Sequence, residues 1–437
     1  MATKTALQPT IQPRSISFFP GTWQAVTATV SCRPLQQTRF HCKGDRLLAE
    51  GAILTKRSMM AGFLAIPEKR TGSVSLQDKL GDIFAPSVDE TVCNNFRDSL
   101  KKLDGLRSDA ISGHQRLASG LSLEEALSRY IDQLNYLEEA IPKQHLQVPF
   151  TWKNAFSNGT IITFYTLFTQ STISFEKICL FFNLAAYLSQ HAAGKGNPNE
   201  EEGLRNAAKL FQRSAGIFQY IRHASSVSTV EGVTTDLHIG TLQALENLCL
   251  AQAQECFYLK ALQDNKASSV LARLAQRATE LYETAWKHMK KEHPCSYQWA
   301  YVMQFKEAAF RGATQFHQAD QDGKDCRVSD ELARLDLAMA AFRAASKQAE
   351  NITIVVLGSH WREMYKNAQI THKRRRYENE CVYKEKVTST QELPAVDGAA
   401  LAKAIPPVLP LTLQENLFVN LPQEFRALVE VTALPAD

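Results

Sequence analysis

The chain has 437 residues, 44% hydrophobic and 22% charged, with 49 Lys and Arg against 45 Asp and Glu. Such a composition supplies a sizeable core and excludes global disorder. A net charge of +4 over this length is too small to mark a nucleic-acid binder, although local basic faces remain open to anionic lipid.

Residues 1–58 differ from the rest. No acidic residue precedes Asp45, Lys4, Arg14, Arg33, Arg39 and Lys43 are basic, and Pro9, Pro13, Pro20 and Pro34 interrupt any helix. The acidic-poor composition suits a transit peptide, but no amphipathic helix accompanies it. A disordered or non-native extension is expected, with Met59 or Met60 as an alternative start. Phe63 to Val74 then reads as an edge strand and Val148 to Trp152 as a second extended segment, so sheet content is small.

Helical periodicity dominates the remainder. Val92 to Ser108 and Leu123 to Ala140 read as helices, the second with Ser122 as N-cap and Glu125 as its capping-box partner. Glu176 to Ala193 is apolar on nearly all sides, the mark of a central helix covered by neighbours. The following GKGNPN has no GxxxxGK[ST] spacing and reads as a C-cap and turn, so no phosphate cofactor is expected. Glu200 to His223 is the next helix, where Ala207, Ala208, Ala215 and Gly216 allow close approach of neighbours.

A helix from Thr241 places Leu242, Leu245, Cys249, Ala253 and Cys256 on one stripe, with Phe257 beside it. After a break at Asp264 to Lys266, Ser268 is the expected N-cap of a helix carrying Val270, Leu271, Leu274, Ala275 and Ala278. Apolar residues here exceed the needs of one buried face, which points to a binding surface. Helices over Tyr297 to Ala319 and Ser329 to Glu350 follow, separated by a polar turn at Gln321 to Cys326. Beyond Trp361 come the basic run Lys373 to Arg376 and a Pro-rich stretch from Pro394 to Pro410, expected to lie as an extended arm on the helices. Paired helices with Ala and aromatic contacts suit a tetratricopeptide-like solenoid, without a strict 34-residue period.

No uninterrupted apolar run approaches the roughly 20 residues needed to span a bilayer. Nine cysteines stand without CxxC pairs, several inside apolar helices, as reduced thiols of a cytosolic protein would. His288, His293 and Cys295 lack further ligands nearby, so no metal is expected. An enzyme using Cys179 or Cys256 is disfavoured, because an apolar setting raises a thiol pKa.

Five ordered blocks carry a resemblance: TWKNAF (Thr151 to Phe156), FEKICLFFNLAA (Phe175 to Ala186), EEGLRNAAKLFQRSAGIFQYI (Glu201 to Ile221), LAQAQECFYLKA (Leu250 to Ala261) and ENECVYKEKV (Glu378 to Val387). In this order the chain from Met60 to Phe418 resembles the BRO domain of the Alix family of endosomal-sorting adaptors. The resemblance implies a mainly α fold: a boomerang-shaped solenoid with a small β-sheet near its N-terminal end and an extended C-terminal arm. It assigns 60–420 to the BRO domain and 421–437 to a tail that starts a missing downstream region. The coiled domain that follows in larger adaptors is not present, and LPAD is not a CaaX box, so a fragment or short form is expected.

The resemblance further implies a non-enzymatic adaptor, cytoplasmic and recruited to endosomes, with no cofactor or small-molecule substrate. Its concave pocket would take the C-terminal amphipathic helix of an ESCRT-III charged multivesicular body protein. Motif positions place the apolar contacts on Phe257, Val270 and Leu274 and the polar ones on Glu201 and Arg205. Here arginine replaces the usual lysine, glutamate the aspartate, and Val270 a bulkier aliphatic residue. Tyr383 resembles a family tyrosine proposed for kinase-dependent interactions, and peripheral membrane association is a further expectation. The alternative is a BRO-type signalling scaffold whose pocket binds a different helical peptide.

Overall fold

Apolar periodicity resolves into ten α-helices among the described residues of this computed structural model: α1 Leu76–Leu80, α2 Glu90–Ile111, α3 Leu123–Ala140, α4 Ile173–Lys195, α5 Gly203–His223, α6 Ile239–Gln263, α7 Ser268–Glu292, α8 Tyr297–Lys324, α9 Val328–Ala349 and α10 Ser359–Glu378. The structure describes residues 62–421 except 84–89, 113–120, 158–166, 196–201, 225–233, 293–296, 353–358 and 420. The chain divides between Leu48 and Ala49, and every described residue lies in the second part. The expectations for 1–58 and for 422–437 therefore fall outside the described residues. From α2 onward each helix packs mainly on the one before and the one after it, as in a solenoid.

The small sheet pairs β1 Phe150–Lys153 with β2 Leu167–Gln170, antiparallel, with Trp152 opposite Phe168. The expected edge strand from Phe63 to Val74 is corrected: this segment makes a single bridge, Thr71 to Trp152. Helix side chains stand in for a neighbouring strand. Gln252 accepts from Leu64 N at 2.5 Å and donates to its carbonyl at 3.0 Å, and Asn183 does the same for Lys69 at 2.7 and 3.0 Å. Ser189 Oγ accepts from Ile66 N. The segment is buried at Phe63, Leu64 and Ile66, so its backbone groups need such partners.

Helix α4 is covered on nearly all sides, as its sequence implies. Its buried Glu176 accepts from Arg107 Nε at 2.9 Å and from Trp152 Nε1 at 2.6 Å, joining α2, β1 and α4. Burial raises the Glu176 pKa, opposed chiefly by the Arg107 charge. A second buried pair joins Lys69 Nζ to Asp236 at 2.6 Å, and Asp236 also accepts from Ala155 N.

Helix ends depart from sequence reading in three places. Ser122 caps α3 by accepting from Glu125 N at 3.2 Å, but the Glu125 carboxylate pairs with Arg129 instead of closing the box. Helix α8 runs through the expected Gln321 turn as far as Lys324. Ser268 is the first residue of α7 rather than its cap: Leu271 N bonds Ala267 O, and the Ser268 hydroxyl donates to Asp320 of α8.

The Pro-rich stretch is an arm that visits the helices in reverse order. Pro394 O accepts from Arg334 of α9, Ala399 N donates to Arg273 O of α7, and Leu401 N and Ala402 N donate to Gln254 of α6. Ile405 N then reaches Gln212 O of α5, Leu411 N and Thr412 N reach Asp132 of α3, and Leu417 O accepts from Ser99 of α2. An extended chain has no internal ladder. Its backbone is held by polar side chains and by backbone carbonyls of the helices it crosses.

Candidate functional site

Helices α6 and α7 form an antiparallel hairpin around the turn at Asp264 to Ala267. The α6 stripe Leu242, Leu245, Cys249, Ala253 and Cys256 is buried, as its spacing implies. Phe257 is half-buried beside it, packed on a small cluster that contains Phe63, Leu204, Phe211, Cys256 and Ala402.

Val270 and Leu274 share one helical face yet have different fates. Val270 is 43% exposed, whereas Leu274 is 3% exposed and joins the main core. The arm runs beside this part of the hairpin. It crosses α7 at Arg273, and Gln254 Nε2 donates to both Leu274 O at 3.3 Å and Ala399 O at 2.9 Å. One turn earlier Val270 is left uncovered. Leu274 is thus a buried residue, whereas Val270 stands at the surface.

Arg205, near the start of α5, is 63% exposed at its side chain and pairs with Glu202 at 3.3 Å. Glu201 lies outside the described residues, and so does its expected pairing with Arg205. Across from α5, the bond from Lys260 holds the Asp264 carboxyl below its usual range, and the Lys266 and Arg205 charges act in the same direction. The α6–α7 hairpin therefore carries an exposed valine, a half-buried phenylalanine and charged residues near its turn. An open cleft of about 370 Å³ lies elsewhere, between α2 and arm residues 415–421.

Tyr383 is 48% exposed in a single π-turn, Asn379–Tyr383, which Lys384 ends at φ 53°. The basic run continues α10: Arg375 pairs with Glu331 and Glu378 at 2.9 Å, and Arg376 with Glu380 at 3.3 Å.

The buried cysteines are poor nucleophiles. Desolvation pushes the Cys249 thiol up to about 12 and raises Cys179 and Cys256 well above the ordinary value. Native-state iodoacetamide labelling at pH 8 is accordingly expected to modify the exposed Cys326 and Cys381 while sparing Cys179, Cys249 and Cys256 until denaturant is added. Peptide mass spectrometry reads the outcome. Among the described residues no group of three or more His, Cys, Asp or Glu is placed to hold a metal ion, and His293 and Cys295 lie outside them. No described helix is long and apolar enough to cross a membrane.

Sequence reading missed the polar residues that position these elements, notably Gln252, Gln254, Gln212 and Asp132. Their signal was present as isolated amides and carboxylates inside apolar runs, such as the two glutamines of LCLAQAQECFYL. Nothing local says what backbone they face.

Residues 63–430 match the model of the BRO1-like domain. The chain is 31% identical over 360 residues to Apoptosis-linked gene 2-interacting protein X 1 of Caenorhabditis elegans, covering 80% of this chain and 40% of that protein. It is 31% identical to Vacuolar protein-sorting protein bro1 of Aspergillus fumigatus, covering 79% and 33%. The solved ALIX BRO1 CHMP4C complex superposes with TM-score 0.72 at 26% identity, over 82% of this chain and 99% of that one. The chain spans about 40% or less of the length of these curated relatives. Its helical solenoid, two-stranded sheet and returning arm agree with a family model that spans most of its length, and this chain belongs to the BRO1-like domain family.

Proposed function

We infer that this chain is a non-enzymatic adaptor of the endosomal sorting pathway. It docks the C-terminal amphipathic helix of an ESCRT-III charged multivesicular body protein on the α6–α7 surface and is thereby recruited at endosomes. The observation that carries this reading is Val270, a large apolar side chain left 43% exposed on the same α6–α7 hairpin that carries half-buried Phe257. The structural likeness to a BRO1 domain solved with CHMP4C supports the choice of partner.

In this mode Val270 and Phe257 are the apolar anchors and Leu274 supports them from below. Glu201 and Arg205 form the polar rim, where exposed charges add little affinity but bias the approach of a charged helix. Two or three anchors at roughly 1.5 to 3 kcal/mol each supply only part of the roughly 8 kcal/mol of a micromolar complex once association costs are met, so affinity at a single site is modest. A polymeric partner presents many tails, so modest affinity at one site is multiplied by avidity.

The test is a fluorescence-polarisation titration of the chain against the labelled C-terminal helix of such a protein. Val270→Asp is expected to weaken binding at least about tenfold, the loss of roughly 1.4 kcal/mol or more, with unchanged helical circular dichroism. Leu274→Asp is expected to lower the melting temperature instead, because it places a charge in the core. Equal affinity for wild type and Val270→Asp would sink the assignment.

A further inference from the structure

The outer face of α10 is built unlike the end of a solenoid. This last helix buries Trp361, Met364 and Ala368 against α8 and α9. The opposite face has no following helix among the described residues, and a terminal element normally presents polar residues there. Here Ile370 is 58% and Tyr377 69% exposed. They stand seven residues apart, two turns along one stripe. Lys366, Lys373 and Arg374 lie within one turn of them on the same face, all exposed.

The charge on this face is largely unspent. Arg374 reaches Glu378 only at 3.9 Å, and no described carboxylate lies within ion-pair distance of Lys366 or Lys373. One carboxylate, Glu363, sits at the N-terminal end of the stripe. Helix α10 as a whole carries six Lys and Arg against two Glu. Such interleaving of cations with protruding apolar side chains suits a fluid anionic interface. Ammonium and guanidinium groups meet lipid phosphates while isoleucine and the tyrosine ring enter the headgroup layer. A protein partner would need a complementary cavity for each protruding side chain, whereas a bilayer deforms around them.

We propose that the outer face of α10, through Lys366, Ile370, Lys373, Arg374 and Tyr377, is a peripheral docking surface for anionic lipid bilayers. It is separate from the α6–α7 surface, so one chain engages a membrane and a helical partner together.

The test is co-sedimentation of the whole chain with vesicles of phosphatidylcholine alone or with about 30 mol% phosphatidylserine. Wild type is expected to bind only the anionic vesicles and to be released near 1 M salt, where the screening length falls to about 3 Å. Lys366→Glu/Lys373→Glu is expected to reduce partitioning at least about tenfold, and Ile370→Ser/Tyr377→Ser to reduce it severalfold. Both pairs keep the helical circular dichroism and the affinity for the ESCRT-III helix. Because basic residues elsewhere in the chain are unchanged, the variants isolate this face. Binding that survives the charge reversal, or equal binding to neutral vesicles, overturns the proposal. Failure of wild type to bind anionic vesicles also overturns it and turns the search to an acidic protein partner.

Discussion

Replacement of Glu176 by alanine is expected to destabilise the chain by about 3–5 kcal/mol, the cost of leaving one member of a buried ion pair without the other. Glu176 is fully buried and accepts from Arg107 and Trp152, with the Tyr130 hydroxyl at 3.5 Å. Removal of the carboxylate strands the Arg107 cation, itself 2% exposed, and leaves the indole N–H without its acceptor. The same substitution loosens β1 from α4, so the loss reaches the sheet. Urea unfolding followed by circular dichroism measures the effect. The paired variant Arg107→Met/Glu176→Leu is expected to recover a substantial part of it, since neither charge then remains in the core. A single variant within about 1 kcal/mol of wild type, the value of an exposed pair, would contradict the burial described.

Gly216→Ala provides the second large effect, and its sign discriminates between local and tertiary control. Gly216 lies inside α5, where alanine is favoured over glycine by about 1 kcal/mol. On helix propensity alone the variant gains stability. The arm reverses this expectation: a Cβ on Gly216 would lie 1.8 Å from Ile405 O and 2.2 Å from the Ile405 carbonyl carbon. These are backbone atoms of a segment tethered on both sides, at Gln254 and at Asp132, so they have little room to give. Gly216→Ala is therefore expected to lift the arm from α5, lower the melting temperature and open residues 401–410 to limited proteolysis. A more stable, protease-resistant variant would show that the arm adapts freely.

The second effect bears on the proposed partner surface. The arm that Gly216 admits also reaches the α6–α7 hairpin, where Ala399 N donates to Arg273 O and Gln254 accepts from Leu401 N and Ala402 N. Lifting it is expected to change helix binding as well as stability.

The sequence by itself determined the helices, because apolar spacing at three and four residues is a local property that folding of neighbours only reinforces. It also carried the five motif blocks, the buried cysteines and the extended character of the Pro-rich stretch, since proline sets backbone geometry without tertiary help. Tertiary structure decided everything that depends on which distant group arrives at a given side chain. Phe63 to Val74 reads as an edge strand in the sequence, yet Gln252, Asn183 and Ser189 supply its hydrogen bonds from helices more than a hundred residues away. Ser268 has the chemistry of a cap, but Asp320 on the next helix is the stronger acceptor within reach. Val270 and Leu274 look alike in a periodic pattern, and only the packing of the folded chain leaves one 43% exposed and the other 3%. Periodicity registers which face of a helix is apolar. What covers that face is set by chain segments remote in sequence, and no local propensity encodes their arrival.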